Sequence, residues 1–469
     1  MIQATKILIV GGGFGGLYTA RELEKSLGAD SDVKITLVNR DNFFLFTPML
    51  HEVAASDLDP TDIVNPIRKL LKRTHFFVGN IEAIDLDAKK VVVSHGEGQH
   101  PHELPYDQLV IALGSVSNFL NLPGVAGRAL TMKSLNDAVA LRSRLIEHLD
   151  EADFECCPAL RESLLTIVVA GAGFAGVETV AGVNDFLREA VNFYPNLKEE
   201  MIRVVLVEYG AAILPEIDGS LGAYAREKLA RRGVEIRLKT AVTSMSERGV
   251  ALSNGTFINT NTLIWTAGTA PNPLLTALPC PKEKGKLIVA ETLEIPGWPG
   301  VWALGDCAAI RDPKSGKLYP PTAQHALRQG KVLARNIVAT LRGTTKQPFV
   351  FSTIGQLAAI GRRTGVANIM GVNFSGFTAW WLWRTIYLSK LPRLEKKVRV
   401  ALGWTLDLFF SKDLVQFKTN EAVTVSPVRE YLAVQKSHEG HSEPKAKNLT
   451  LPADIATQSP SDAKQLSAG

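Results

Sequence analysis

The stretch Lys6-Ile-Leu-Ile-Val-Gly-Gly-Gly-Phe-Gly-Gly16 decides the fold. Its first half is an unbroken apolar run, as a strand buried on both faces of a parallel sheet requires. Its second half places glycines where a tight turn must lead into a helix. Residues Leu17–Leu27 then supply helix formers, with an apolar side and a charged side (Arg21, Glu22, Glu24, Lys25), and Val33-Lys-Ile-Thr-Leu-Val38 reads as a second strand ending at Asn39. Strand, glycine turn, helix and strand at this spacing form the βαβ dinucleotide fingerprint. The first glycine permits the turn, the second lets backbone approach a pyrophosphate, and the third lets helix and strand lie close. The helix N-terminus then faces negative charge.

One such motif is weak evidence, because glycines at strand ends are often only turns. The chain carries a second copy. Leu164-Leu-Thr-Ile-Val-Val-Ala170 reads as a strand and runs into Gly171-Ala-Gly-Phe-Ala-Gly176. A helix is expected from about Val177, and the strand Arg203-Val-Val-Leu-Val207 ends at Glu208. The closing strands also correspond, Asp107–Gly114 in one half and Asn261–Gly268 in the other. An offset of about 160 residues between like elements indicates internal duplication. A third glycine turn, Val301-Trp-Ala-Leu-Gly305-Asp306, precedes a helix expected over His325–Thr340, so the second unit reads as inserted into the first. The expected architecture is α/β, with two Rossmann-like dinucleotide-binding domains and a C-terminal membrane-associating region. The first domain spans 1–120 and 270–345, the second 121–269, and the C-terminal strands and amphipathic helices 346–436. Residues 437–469 are polar, lack aromatics and read as a disordered tail.

The residue ending each second strand selects the ribose. Glu208 accepts hydrogen bonds from both ribose hydroxyls and repels a 2′-phosphate, which favours NADH over NADPH. Asn39, the uncharged equivalent in the first unit, binds a ribose less strongly than a carboxylate does.

Composition narrows the class. At 469 residues, two or three domains are expected. The 46% hydrophobic and 21% charged fractions are those of a globular protein. The mean hydropathy of +0.06 is compatible with a soluble body that also touches lipid. Four cysteines (Cys156, Cys157, Cys280, Cys307) make no metal-type spacing and no C-x-x-C, so neither a metal site nor a disulfide framework is expected, and a reducing compartment is. Only Met1–Lys6 precede the first strand, too few for a signal peptide. The apolar stretch Leu164–Val183 is interrupted by three glycines and Glu178, which favours strand–turn–helix over a membrane span. The formal charge of +5 calls for no nucleic-acid partner.

Beyond the two fingerprints, the segments Leu45-Phe-Thr-Pro-Met-Leu-His-Glu-Val-Ala54, Ala112-Leu-Gly-Ser115, Gly173-Phe-Ala-Gly-Val-Glu-Thr179 and Ala303-Leu-Gly-Asp-Cys-Ala308 resemble those of type II NADH dehydrogenases, within the two-dinucleotide FAD/NAD(P) reductases. The resemblance covers roughly residues 4–418. It implies FAD on the first unit, held by Gly11, Gly13, Phe14, Gly15, Gly16, Asn39, Arg40, Thr47, Ala112, Gly114, Gly305, Asp306 and Ala323, with Asp306 at the flavin's ribityl or phosphate region. It implies NAD(H) on the second, held by Gly171, Gly173, Phe174, Ala175, Gly176, Glu208 and Gly268. Glu178 is expected to line the channel between nicotinamide and flavin; a carboxylate complementing a helix N-terminus is the plainer alternative. Pro320–Gly330 resembles the family's A-Q-x-A-x-Q segment beside the flavin and quinone. Gln324 matches the first glutamine, and Arg328 stands where the second belongs, either donating to a quinone oxygen or capping the segment.

In the last region, Trp380-Trp-Leu-Trp383 adjoins Arg384, and apolar residues recur at 394, 398, 402, 406 and 409–410. Over 384–418 eight basic residues face three acidic ones, a net of +5. Such a helix suits the headgroup region of an anionic bilayer, with a homodimer contact or a core helix as alternatives. The expected activity is non-pumping NADH:quinone oxidoreduction at the cytoplasmic face of the membrane. Its rival is a soluble FAD-dependent NADH reductase serving a small iron–sulfur protein. A sulfide:quinone oxidoreductase would need two separated reactive cysteines, which the spacing does not supply. Removing 378–418 is expected to release the protein from membranes and spare flavin binding.

Overall fold

In the computed structural model, residues 4–27, 30 and 32–416 are described. The strand β1 (Thr5–Val10) leads through the glycine turn into α1 (Phe14–Leu27), β2 (Val33–Asn39), the short helix α2 (Leu50–Ala54), β3 (His75–Val78) and β4 (Gln108–Ile111). The chain then enters a second unit made of α3 (Leu135–Phe154), β5 (Thr166–Ala170), α4 (Phe174–Ala190), β6 (Arg203–Val207), β7 (Val234–Arg237) and β8 (Thr262–Trp265). It returns with β9 (Val301–Ala303) and α5 (Ala323–Leu341), and ends in α6 (Gly376–Lys390) and α7 (Leu394–Leu406).

The first sheet is parallel, in the order β9-β4-β1-β2-β3, and the second places β8-β5-β6-β7 beside the short strand Leu130–Thr131. Because β9 pairs with β4 after the whole second unit has been traversed, that unit is an insertion in the first sheet's connectivity. The outgoing and returning connections, Ser115–Ser117 and Thr269–Pro271, lie antiparallel side by side. Residues Ile7–Val10 and Val204–Val207 are fully buried, as strands covered by helices on both faces must be.

Several boundaries shift. Both helices begin at the phenylalanine inside the glycine motif, Phe14 and Phe174, earlier than the expected starts. Leu164 and Leu165 end a helix (Pro158–Leu165) that was expected to be strand; both are buried, and apolar periodicity does not separate a buried helix end from a strand start. The helix expected over Leu394–Phe410 stops at Leu406. A three-stranded antiparallel sheet (Gly355–Ala359, Gly365–Ile369, Val372–Ser375) joins α6 to the second unit. The tail reading for 437–469 lies outside the described residues.

Candidate functional site

The two glycine turns are built alike. Gly11 has φ +103° and Gly171 φ +97°, conformations that favour glycine. A Cβ on Gly16 would strike the Gly11 carbonyl oxygen, and one on Gly176 would strike that of Gly171. Beside Gly13 there is open space instead, so backbone is presented to a ligand there. The first N–H groups of a helix lack intrahelical partners, which makes this turn a place where a phosphate could be held. The residues ending β2 and β6 brace the turns: Asn39 Oδ1 accepts from Gly12 N at 2.8 Å, and Glu208 Oε2 accepts from Ala172 N at 2.6 Å. Asn39 therefore does for the first loop what the carboxylate does for the second. Glu208 Oε1 also accepts from Gly210 N at 2.6 Å.

Where the two units meet, Ser115 Oγ donates to Asp306 Oδ2 at 2.7 Å and accepts from Lys133 Nζ at 3.2 Å. Gln329 Oε1 accepts from Gly305 N at 2.9 Å, fixing the turn that carries Asp306. Gly114 and Gly305 both take positive φ, while Thr47 opens a short 3₁₀ turn and Arg40 is exposed beside Asp41. Phe14 packs on Phe44 and Phe46, which links the first glycine turn to the segment ahead of Thr47. These features fit an extended dinucleotide running from the α1 N-terminus to Asp306, and a second one on the α4 N-terminus, with Gly173, Phe174 and Ala175 at its start and Gly268 on the facing connection.

The catalytic candidates separate. Gln324 Nε2 donates to Gly355 O at 3.1 Å, tying the start of α5 to the C-terminal sheet. Arg328 turns back on its own helix: Nη1 donates to Gln324 O at 2.8 Å and the guanidinium lies 4.2 Å from the Phe351 ring centre. This is a bond back to the start of its own helix, with a cation–π contact added. Glu178 is buried, and it does more than complement a helix end. Its Oε1 accepts from Ala359 N at 3.1 Å and from Trp383 Nε1 at 3.0 Å. Its Oε2 lies 3.7 Å from His51 Nδ1. Burial pushes the Glu178 carboxyl up to about 8, against the two N–H donors, and pushes His51 down to about 4. The pair is therefore neutral near pH 7 rather than an ion pair.

Next to it stands a group that sequence reasoning missed. Glu52 is buried, its Oε2 accepts from Trp404 Nε1 at 3.1 Å, and burial pushes it up to about 8 despite the nearby Arg384 guanidinium. A usable signal existed, since Glu52 is the one carboxylate in the apolar turn Leu50–Ala54. Trp383 also contacts Tyr387, and Tyr387 contacts Phe46, so the aromatic contacts run from Glu178 to the Phe14 turn.

Two nucleotide-type turns, one unit inserted in the other, and a C-terminal module closing over their junction define a two-dinucleotide flavoprotein reductase. The family model for pyridine nucleotide-disulphide oxidoreductases matches residues 5–330, and that for the NDH2 C-terminal domain matches 354–413. The type II NADH:quinone oxidoreductase Ndh of Mycobacterium tuberculosis is 32% identical over 417 residues, covering 86% of this chain and 87% of that one. The demethylphylloquinone reductase of Synechocystis is 32% identical over 406 residues, covering 85% and 95%. The structure of NDH2 from Plasmodium falciparum in complex with NADH superposes with a TM-score of 0.82 at 19% identity, covering 88% of this chain and all of that one. The chain belongs to the type II NADH:quinone oxidoreductase family.

Proposed function

We propose that the chain oxidises NADH on the second unit (121–269), carries FAD on the first (1–120 and 270–345), and delivers two electrons to a quinone at a membrane surface. When bound, FAD supplies the chemistry, taking hydride from NADH and passing electrons on singly or in pairs. The chain's residues bind, orient and exclude water. The turns at Gly11–Gly16 and Gly171–Gly176 hold the pyrophosphates, Glu208 reads the NADH ribose, and Asp306 with Ser115 and Lys133 holds the flavin chain. Gln324 fixes the start of α5 against the C-terminal sheet, Arg328 secures that helix start, and Glu178 stands between the two nucleotides. The observation that carries this reading is the meeting of three units at one point: His51 from the first, Glu178 from the second and Trp383 from the C-terminal module.

The C-terminal helices support the membrane assignment. Leu394, Val398, Leu402 and Leu406 all lie on the exposed side of α7, with Leu394 76% and Phe409 77% exposed, while Val400 and Trp404 face inward. This excludes the core-helix alternative for that stripe. The basic side chains are more divided than their count implied: Lys396 donates to Thr61 O, and Lys412 pairs with Asp57. Lys397 donates to Ser389 O and Arg399 lies 3.6 Å from Glu395, while Lys390 is exposed at the end of α6. Among the described residues no helix is long and apolar enough to cross a membrane; the attachment proposed is peripheral, at the cytoplasmic face, and the activity non-pumping. A homodimer would compete with lipid for the same face.

Anaerobic mixing of the flavin-loaded protein with NADH should bleach the flavin absorbance, and a quinone should restore it. Bleaching without restoration would remove the quinone, and no bleaching with NADH would remove the nicotinamide assignment.

A further inference from the structure

The two glycine turns are alike in backbone and unlike in what lies over them. At Gly13, the second glycine of the first turn, a Cβ would meet nothing within 4 Å. At Gly173, its equivalent in the second turn, a Cβ would lie 3.5 Å from Glu216 Oε1. A carboxylate therefore overhangs the N-terminus of α4, beside the glycine whose backbone approaches a pyrophosphate in this motif.

Glu216 is carried on a loop that is fastened along its length. Glu208, just after β6, braces the loop's start by accepting from Gly210 N at 2.6 Å. Leu214 N donates to Ala172 O at 2.8 Å, inside the glycine turn itself, and Ile217 N donates to Leu214 O at 3.1 Å. Ile213, Leu214 and Ile217 are buried. Leu214 takes φ +49° directly before Pro215 and Glu216, a conformation that leucine rarely adopts. Glu216 itself is exposed, and among the described residues neither a cation nor a hydrogen-bond donor pairs with it. Its place over Gly173 is thus set by the loop rather than by a bond of its own.

While the site is empty, a negative charge there is favourable, because it faces the unpaired N–H groups and the positive end of the helix. Once a doubly charged pyrophosphate occupies the turn, the same charge repels it. We propose that Glu216 weakens the binding of NADH and NAD⁺ alike by repelling their pyrophosphate, so that the nucleotide leaves quickly after each reduction of the flavin. The proposal rests on the reading of the second unit as the NADH site. The contrast between the turns suits it: the turn assigned to resident FAD is open, whereas the turn that must release its nucleotide every cycle carries the carboxylate. Glu208 and Glu216 then divide the work. Charge beside the ribose chooses among nucleotides, and charge at the pyrophosphate acts on all of them.

ADP-ribose carries the pyrophosphate without the nicotinamide ring, so its binding to the flavin-loaded protein can be titrated by calorimetry without turnover. Glu216→Gln removes the charge from an exposed side chain and keeps its shape. At about 0.01 M salt its Kd for ADP-ribose should fall about three- to tenfold, and Glu216→Lys should lower it further. The gain should shrink in about 1 M salt, where charges are screened beyond about 3 Å. Adenosine, which has no phosphate, should bind all three proteins equally. The KM for NADH in flavin bleaching should fall in the same order as the Kd. The melting temperature of nucleotide-free Glu216→Gln should not rise, while its increase on adding NAD⁺ should exceed that of wild type. Unchanged ADP-ribose affinity in both variants at low salt, or an equal gain for adenosine, would overturn the proposal. If the wild-type protein binds neither ADP-ribose nor NAD⁺, the nucleotide assignment of the second unit fails instead.

Discussion

Glu208 shows how a residue read from sequence gains a second duty in the structure. Its carboxylate was expected to read a ribose, and it also holds the Ala172 and Gly210 N–H groups at 2.6 Å. Glu208→Gln keeps an acceptor but loses the charge that repels a 2′-phosphate. The NADH-over-NADPH preference in kcat/KM should fall about tenfold or more, equivalent to about 1.4 kcal/mol; an unchanged ratio would leave selectivity elsewhere. Glu178 and Glu52 allow a prediction in pH. Their folded-state values near 8 lie above the ordinary 4.5, so the folded state keeps protons that the unfolded state releases. Their stabilising contribution is complete below pH 4.5 and is lost as pH rises through 8. His51, lowered to about 4, works in the opposite sense and only below 6.5. Between pH 6.5 and 8 stability should therefore fall, by up to about 1.4 kcal/mol per pH unit for each carboxyl. Denaturant melts of Glu178→Gln should show a shallower fall over that window, and a parallel pH dependence would count against burial in the neutral form. Neither carboxyl's environment was legible from sequence, because Trp383 and Trp404 lie 205 and 352 residues from the groups they hold.

Among the elements, those governed by local rules were legible and those governed by distant contacts were not. Strands β1 and β6 follow from the unbroken apolar runs Ile7–Val10 and Val204–Val207, β2 from apolar residues at 33, 35, 37 and 38 around Lys34 and Thr36, and both fingerprint helices follow from the turn that starts them. The end of the helix before β5 was misread because Leu164 and Leu165 are buried in either conformation. The C-terminal helices carried both kinds of signal. The 394/398/402/406 repeat was visible, but which face it occupied depended on Val400 and Trp404 finding the core. That packing also corrects the truncation expected from sequence. Removing 378–418 would strip Trp383 and Trp404 from Glu178 and Glu52 and uncover the core, so loss of membrane binding would be confounded with unfolding. Point changes on the outer face avoid this. Val398→Asp with Leu402→Asp alters side chains that are 50% and 59% exposed. The pair should weaken binding to anionic vesicles at least tenfold and leave flavin content unchanged, since a charge replaces apolar area in the bilayer interface. Undiminished cosedimentation would place the attachment elsewhere.

At the level of the whole molecule, the C-terminal module must be held against the inserted unit, because the junction at Glu178 is built from both. Arg232 performs much of this. Its Nη1 reaches Asp185 Oδ2 at 2.8 Å, and its Nη2 donates to Arg362 O at 2.6 Å and Thr364 Oγ1 at 2.9 Å. Asp185 Oδ2 in turn accepts from Arg362 N at 2.6 Å. The turn between two strands of the C-terminal sheet is thereby fastened to α4, and the first of those strands carries Ala359, whose N–H holds Glu178. Arg232→Leu preserves bulk, removes both sets of bonds and leaves Asp185 partly buried beside apolar atoms. For a pair whose side chains are only 25% and 20% exposed the cost should be about 2 kcal/mol, between the values for surface and buried ion pairs. Local opening of residues 355–375 should then become roughly thirtyfold more frequent, read as faster amide hydrogen exchange there while β1 and β2 keep their protection. Because Ala359 moves with that sheet, quinone-driven flavin reoxidation should slow in the same variant more than bleaching by NADH. Unchanged exchange at 355–375 would show that the sheet is held by its apolar contacts with α6 and the helix before Arg232, and that the polar clamp orients the turn without securing it.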